Sequence, residues 1–161
     1  MDSDEPNKSI NVKITRNFED IDVTLPALKQ LIQSVCKRYN VNRADVGVAI
    51  VDDGEIRKLN KEFLKRDCST DCLSFDLSEP KGASKSFEIV VNGQRAIEEA
   101  KLRGHLPQAE LALYLTHGLL HNLGFDDAND DQAEKMHRTE DEILNEHGFG
   151  FVYNRKVDTE K

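Results

Sequence analysis

No apolar run in this chain approaches the roughly 20 residues that a membrane-spanning helix needs. The opening MDSDEPNK has neither the basic region nor the apolar core of a secretory signal, so a cytosolic, cytoplasmic protein is expected. Cysteine is scarce. Cys36, Cys68 and Cys72 are an odd number without paired spacing, which fits a reducing compartment. They read as small buried or half-buried side chains, with metal ligation by Cys68 or Cys72 a lesser alternative. Net positive charge is also missing: a formal charge of -8 argues against broad nucleic-acid binding through the whole surface. Local cationic patches remain, Lys58, Lys61, Lys65 and Arg66 in one segment and Lys37, Arg38 and Arg43 in another, although such runs are usually solvated helix faces. There is no internal repeat and no linker. With 161 residues, 38% of them hydrophobic and 32% charged, the chain is sized for one globular domain spanning 1–161.

Periodicity then divides the chain. Residues 1–8 are polar and acidic and read as a frayed tail. Ile10, Val12 and Ile14 alternate with polar neighbours as a half-buried strand does. Thr24 can cap a helix carrying Leu28, Leu31, Ile32, Val35 and Tyr39 and ending near Asn40. Val46 to Val51 is a buried central strand closed by an Asp52-Asp53-Gly54 turn, and Ile56, Leu59 and Phe63 mark a short amphipathic helix. Leu73 and Phe75 give a further strand, Ser78 to Ser86 a loop, and Phe87 to Val91 the next strand. Asn92 caps a helix from Gln94 to Arg103 that stops at Gly104, and Pro107 opens another with Leu111, Leu115, Leu119 and Leu123 at helical spacing. Ala112 and Gly118 permit that helix to pack closely. Asp131 with Glu134 suggests a capping box for a last helix holding Ala133, Met136, Ile143 and Leu144 inward and ending at Gly148; residues 152–161 read as disordered. The order predicts an α/β (α+β) domain, a small mixed four-stranded sheet packed with about five helices, with the Pro107 helix central.

That helix ends in LTHGLLHNLGFDD, residues 115–127. His117 and His121 stand one turn apart on one face, so one metal ion can bind both. Gly124 can take the positive φ that ends a helix and swings the following residues back, which brings the Asp127 carboxylate within reach as third ligand and leaves an open position for water. Histidines at this spacing also occur as plain core or surface residues; the glycine stop and the carboxylate separate the two readings. Asp126 either supports a ligand histidine or caps the loop. His105, His137 and His147 read as surface or helix-end residues.

The spacing parallels the metzincin peptidases, H-E-x-x-H-x-x-G-x-x-H, but Gly118 stands where their general-base glutamate belongs. The stretch instead resembles the YbeY-type endoribonuclease family, H-G-x-L-H-L-x-G-Y-D-H, through His117, Gly118, Leu120, His121, Gly124 and Asp126. Leu59-Asn60, Thr70 to Phe75 and Glu88 to Val91 resemble three more of its motifs in order, and Met136 and Glu140 fit the helix that follows, so the likeness covers about residues 45–147. The resemblance implies a mixed α/β fold, a zinc ion held by three ligands, and single-strand cleavage in small-subunit ribosomal RNA maturation and ribosome quality control. It makes His117 and His121 zinc ligands, His117 thereby catalytic, and places Thr70, Asp71 and Ser74 along the substrate cleft; as a plain reading, Thr70 to Phe75 is an edge strand.

Two departures bear on chemistry. Asp127 replaces the third histidine, so the ligand set carries a negative charge that makes a bound water less acidic, and two histidines with a carboxylate also suit non-haem iron. Leu64 stands where the family has an arginine, and Arg66, two residues on, is the candidate catalytic cation in its place. Water or the substrate's own 2′-hydroxyl can be the attacking group. The functions these residues allow are a metal-dependent endoribonuclease partnered with ribosomal RNA and the small ribosomal subunit, a ribosome assembly factor with a structural metal, and, with Gly118 weighing against it, a metallopeptidase.

Overall fold

The computed structural model describes residues 9–150. Both terminal expectations, 1–8 and 152–161, fall outside that range. The elements follow the expected order: β1 (Ile10–Arg16), α1 (Leu25–Arg38), β2 (Ala44–Val51), α2 (Asp53–Leu64), β3 (Cys72–Asp76), β4 (Lys85–Asn92), α3 (Gly93–Arg103), α4 (Pro107–Asn122) and α5 (Asp130–Glu146). The strands form one mixed sheet in the order β1-β2-β4-β3, parallel except for the β3–β4 pair. None of the described helices is long and apolar enough to cross a membrane.

Alternation along the strands sorts side chains to two faces. Val46, Val48 and Ile50 of β2 join Phe87, Ile89 and Val91 of β4 beneath α1 and α4, whereas Val51, Leu73 and the half-buried Val90 and Phe75 meet Ile56 and Leu59 of α2 on the other face. Helix α4 is apolar on nearly every side, and residues 109–116 and 118–120 are all buried. Such a helix is stable only when enclosed; α4 is enclosed by β3, β4, α1, α3 and α5.

One glycine permits this enclosure. A Cβ on Gly118 would lie 2.6 Å from Cys72 Sγ and 3.1 Å from Ile89 Cγ2, so the helix backbone lies directly on β3 and β4. Position 118 therefore cannot carry the glutamate of a peptidase. The missing general base is excluded by packing as well as by the sequence.

Some boundaries differ from expectation. Thr24 occupies the N-cap position of α1, its carbonyl accepting from the Ala27 and Leu28 N–H groups, but its side chain makes no cap bond, and its own N–H donates to Gln108 Oε1 of α4. Asp52-Asp53-Gly54 is the start of α2 rather than a free turn, with Asp52 accepting from the Glu55 N–H at 2.8 Å. Helix α5 is capped by Asn129, which accepts from the Gln132 N–H at 2.8 Å, so Asp130 and Asp131 lie in its first turn beside the positive end of its dipole, and the Asp131 capping box does not form. Cys68 is exposed, since the segment before β3 crosses the surface, while Cys36 is buried and Cys72 half-buried.

Gly118→Ala is expected to cost about 1–3 kcal/mol of stability, because the new methyl must displace a sulfur held by the sheet. Urea unfolding would read this as a lower midpoint, partly recovered in the Gly118→Ala, Cys72→Ala double variant. A single variant with the wild-type midpoint would contradict the close contact.

Candidate metal centre

The apolar enclosure of α4 opens along its histidine edge. His117 and His121 are half-buried, with side chains 26% and 31% exposed, and their rings meet edge to face at 4.6 Å. Gly124, at φ 104°, ends the helix; the Phe125 N–H returns to the Leu120 carbonyl at 2.9 Å, and the Phe125 ring packs edge-on against Tyr39, the residue that caps the end of α1. This turn carries the chain back toward the histidines. The Phe125 carbonyl lies 3.1 Å from His121 Nδ1, and Asp127 Oδ2 lies 3.8 Å from His117 Nε2 and 3.7 Å from His121 Nε2. Asp126 caps the loop, its Oδ1 accepting the Asp127 N–H at 2.7 Å.

The tautomers follow from the partners. Glu140 Oε2 lies 2.5 Å from His117 Nδ1, and carbonyl and carboxylate oxygens only accept, so both Nδ1 atoms carry the hydrogen. Both Nε2 atoms then present lone pairs to each other across 3.2 Å. Two such lone pairs repel unless a cation or a proton stands between them. Three donors bound at about 2.1 Å in a tetrahedral array lie about 3.4 Å apart, and the observed edges of 3.2, 3.7 and 3.8 Å approach that triangle. The donor set therefore fits one small divalent ion, and His117, His121 and Asp127 could hold it.

Behind this edge stands Glu140. It is fully buried, and its other oxygen lies 2.9 Å from His137 Nδ1, whose ring stacks over His117 at 6.3 Å. A buried carboxylate is tolerable only when hydrogen-bonded. Burial pulls the His117 pKa down, but the Glu140 hydrogen bond and the charges of Glu140, Asp71 and Asp127 outweigh it and leave His117 above its ordinary value. His137, expected at the surface, thus belongs to the site. His105 lies just past the end of α3, as a helix-end residue, with its side chain only 6% exposed and 2.5 Å from the buried carboxylate of Glu110. His147 is likewise at a helix end, capping α5.

A cleft beside His117 is lined by Asp71, His137, Glu140, Tyr114 and the arginines Arg95 and Arg103. Asn92 holds Asp71 there. Its backbone N–H donates to the Asp71 carbonyl at 2.9 Å, its side chain donates to the Thr70 carbonyl at 3.1 Å and Asp53 Oδ1 at 3.0 Å, and its Oδ1 caps α3. Of the three residues expected along the substrate cleft, only Asp71 lines this one. Thr70 serves as an anchor through its carbonyl, and Ser74 faces α4 under Gly118. Arg66 is exposed beyond the end of α2 and does not line the cleft. Burial pushes the Cys72 thiol pKa up, and no cysteine joins the cation-binding group among the described residues.

A half-open edge of two imidazoles and a carboxylate, beside a cleft and backed by a buried acid, is the donor set that a single-ion site with an open position requires. Comparison with known proteins names the family. The profile of Endoribonuclease YbeY matches residues 13–148. The chain is 36% identical over 138 residues to an Endoribonuclease YbeY of Sulfurovum sp., covering 83% of this chain and 88% of that protein. It is 34% identical over 139 residues to one of Carboxydothermus hydrogenoformans, covering 85% and 97%. The solution structure of TM1509 from Thermotoga maritima superposes with a TM-score of 0.57 at 26% identity, over 86% of this chain and 91% of that one. The chain belongs to the Endoribonuclease YbeY family.

Glu140→Gln keeps the shape but replaces an acceptor of two imidazole N–H groups by an amide. It is expected to weaken metal affinity about 10–100-fold, as loss of a ligand's hydrogen-bond partner does. Asp127→Ala should weaken it at least as much, whereas Asp127→His should retain binding. Competition with a chromophoric chelator measures all three; unchanged affinity in Asp127→Ala would remove that residue from the ligand set.

Proposed function

We propose that this chain is a zinc-dependent, single-strand-specific endoribonuclease of the cytoplasm that acts in small-subunit ribosomal RNA maturation and ribosome quality control. The observation that carries the metal half of this reading is the convergence of the two Nε2 atoms, 3.2 Å apart, and the Asp127 carboxylate oxygen, 3.7 and 3.8 Å from them, close enough together to share one ion. Membership of the Endoribonuclease YbeY family supports the RNA half.

When bound by His117, His121 and Asp127, the zinc ion supplies Lewis acidity toward a phosphodiester oxygen and lowers the pKa of a water. The chain's own residues do the rest. Glu140 fixes the His117 ring so that Nε2 faces outward, and the Phe125 carbonyl does the same for His121. Asp71, beside His117 in the cleft, accepts a hydrogen bond from a ribose hydroxyl, the group that distinguishes RNA from DNA. Thr70 and Ser74 set the strand that delivers Asp71.

Leu64, 49% exposed where the family has an arginine, supports a second reading: a ribosome assembly factor with a structural metal and weakened catalysis. Incubation of purified protein with single-stranded RNA separates the two. The endoribonuclease reading expects cleavage that a chelator abolishes and added zinc restores. Absence of chelator-sensitive cleavage, gained only in Leu64→Arg, would establish the assembly-factor reading instead.

A further inference from the structure

The cleft beside His117 is strongly acidic. Asp71, Glu99, Glu110 and Glu140 line it, and Asp127 lies at the metal-donor edge. A phosphodiester entering here meets more negative charge than one divalent ion offsets, so a fixed cation is required to hold it. The sequence offers Arg66 for that task, yet Arg66 does not line the cleft.

Two arginines do, both from α3. Arg95, Glu99 and Arg103 succeed one another at intervals of four residues, so one stripe of α3 forms a wall of the cleft. Arg103 is committed elsewhere: its Nη1 lies 3.2 Å from both carboxylate oxygens of Glu110, and its side chain is 17% exposed. Arg95 is half-buried, and among the described residues its guanidinium has no hydrogen-bond or ion-pair partner. It lines the cleft together with Asp71, Tyr114 and His117, and its backbone N–H donates to Asn92 Oδ1 at the start of α3. It also sits in the first turn of α3, where the helix dipole adds partial positive charge.

We infer that Arg95 is the side chain that grips the substrate's phosphodiester beside the metal donors, taking the task left open by Leu64. This rests on the endoribonuclease reading. A guanidinium at that place offers a planar pair of N–H donors to two non-bridging phosphate oxygens, and being always charged it works at any pH at which the protein is folded.

The test uses full-chain, zinc-loaded protein and an end-labelled single-stranded oligoribonucleotide, read by cleavage kinetics, by binding against salt concentration and by metal content. Arg95→Ala is expected to lower kcat/KM at least tenfold with metal content unchanged. The slope of log affinity against log salt should fall by about 0.7, the loss of one phosphate contact on a single strand. Arg95→Lys should restore the slope but only part of the rate, since an ammonium lacks the fork. A merely structural Arg95 would lower melting temperature and leave the slope intact, which overturns the inference. So does Arg66→Ala producing the losses expected of Arg95→Ala. Wild-type protein that neither binds nor cleaves the RNA overturns the endoribonuclease reading itself, and the inference falls with it.

Discussion

A carboxylate sealed from water must be satisfied by protein donors, and Glu140 is satisfied by two imidazoles. The 2.5 Å contact with His117 ties α5 to α4, and the 2.9 Å contact with His137, one turn away on α5 itself, satisfies the second oxygen. Removing one partner of such a buried charged contact costs about 3–5 kcal/mol, because the other is left uncompensated. The same contact decides chemistry. By holding the hydrogen on Nδ1 of His117 it leaves Nε2 bare, and the Phe125 carbonyl imposes the same choice on His121. Neither imidazole is free to turn its donor nitrogen inward.

The enclosure of α4 supplies the second constraint. A helix that is buried on nearly all sides can meet solvent along one line only, and here that line contains both histidines. Gly118 lets the opposite side lie on Cys72 and Ile89 at backbone distance. The position next to His117 thereby belongs to the sheet. The side chains that face the cleft beside His117 come instead from other elements, among them the approach segment of β3 and α3.

The element order was legible because strand and helix periods alternate cleanly: Ile10, Val12 and Ile14 at period two, then Leu111, Leu115 and Leu119 at period four. The convergence of His117, His121 and Asp127 was legible because i, i+4 spacing and a glycine stop are local geometry. Caps were read less well. Thr24 does hold the N-cap position of α1 but its side chain makes no cap bond, and Asn129 rather than Asp131 caps α5. Glu140 was recognisable as a family match, yet its burial was hidden, since an acid on a charged amphipathic helix reads as solvated. The pairing of His105 with Glu110 and of His137 with Glu140 was not read either, although both pairs are close in sequence, because the burial of each acid gives no local signal. Arg95 gave no local signal at all, because its relation to His117 depends on how α3 crosses α4.

X-ray absorption spectroscopy of the metal that copurifies with the full chain tests the centre most directly. One ion per chain, with two imidazole nitrogens and oxygen neighbours but no sulfur, is the predicted environment. A sulfur neighbour, or a single imidazole in the coordination shell, would contradict the convergence of His117, His121 and Asp127 on one ion.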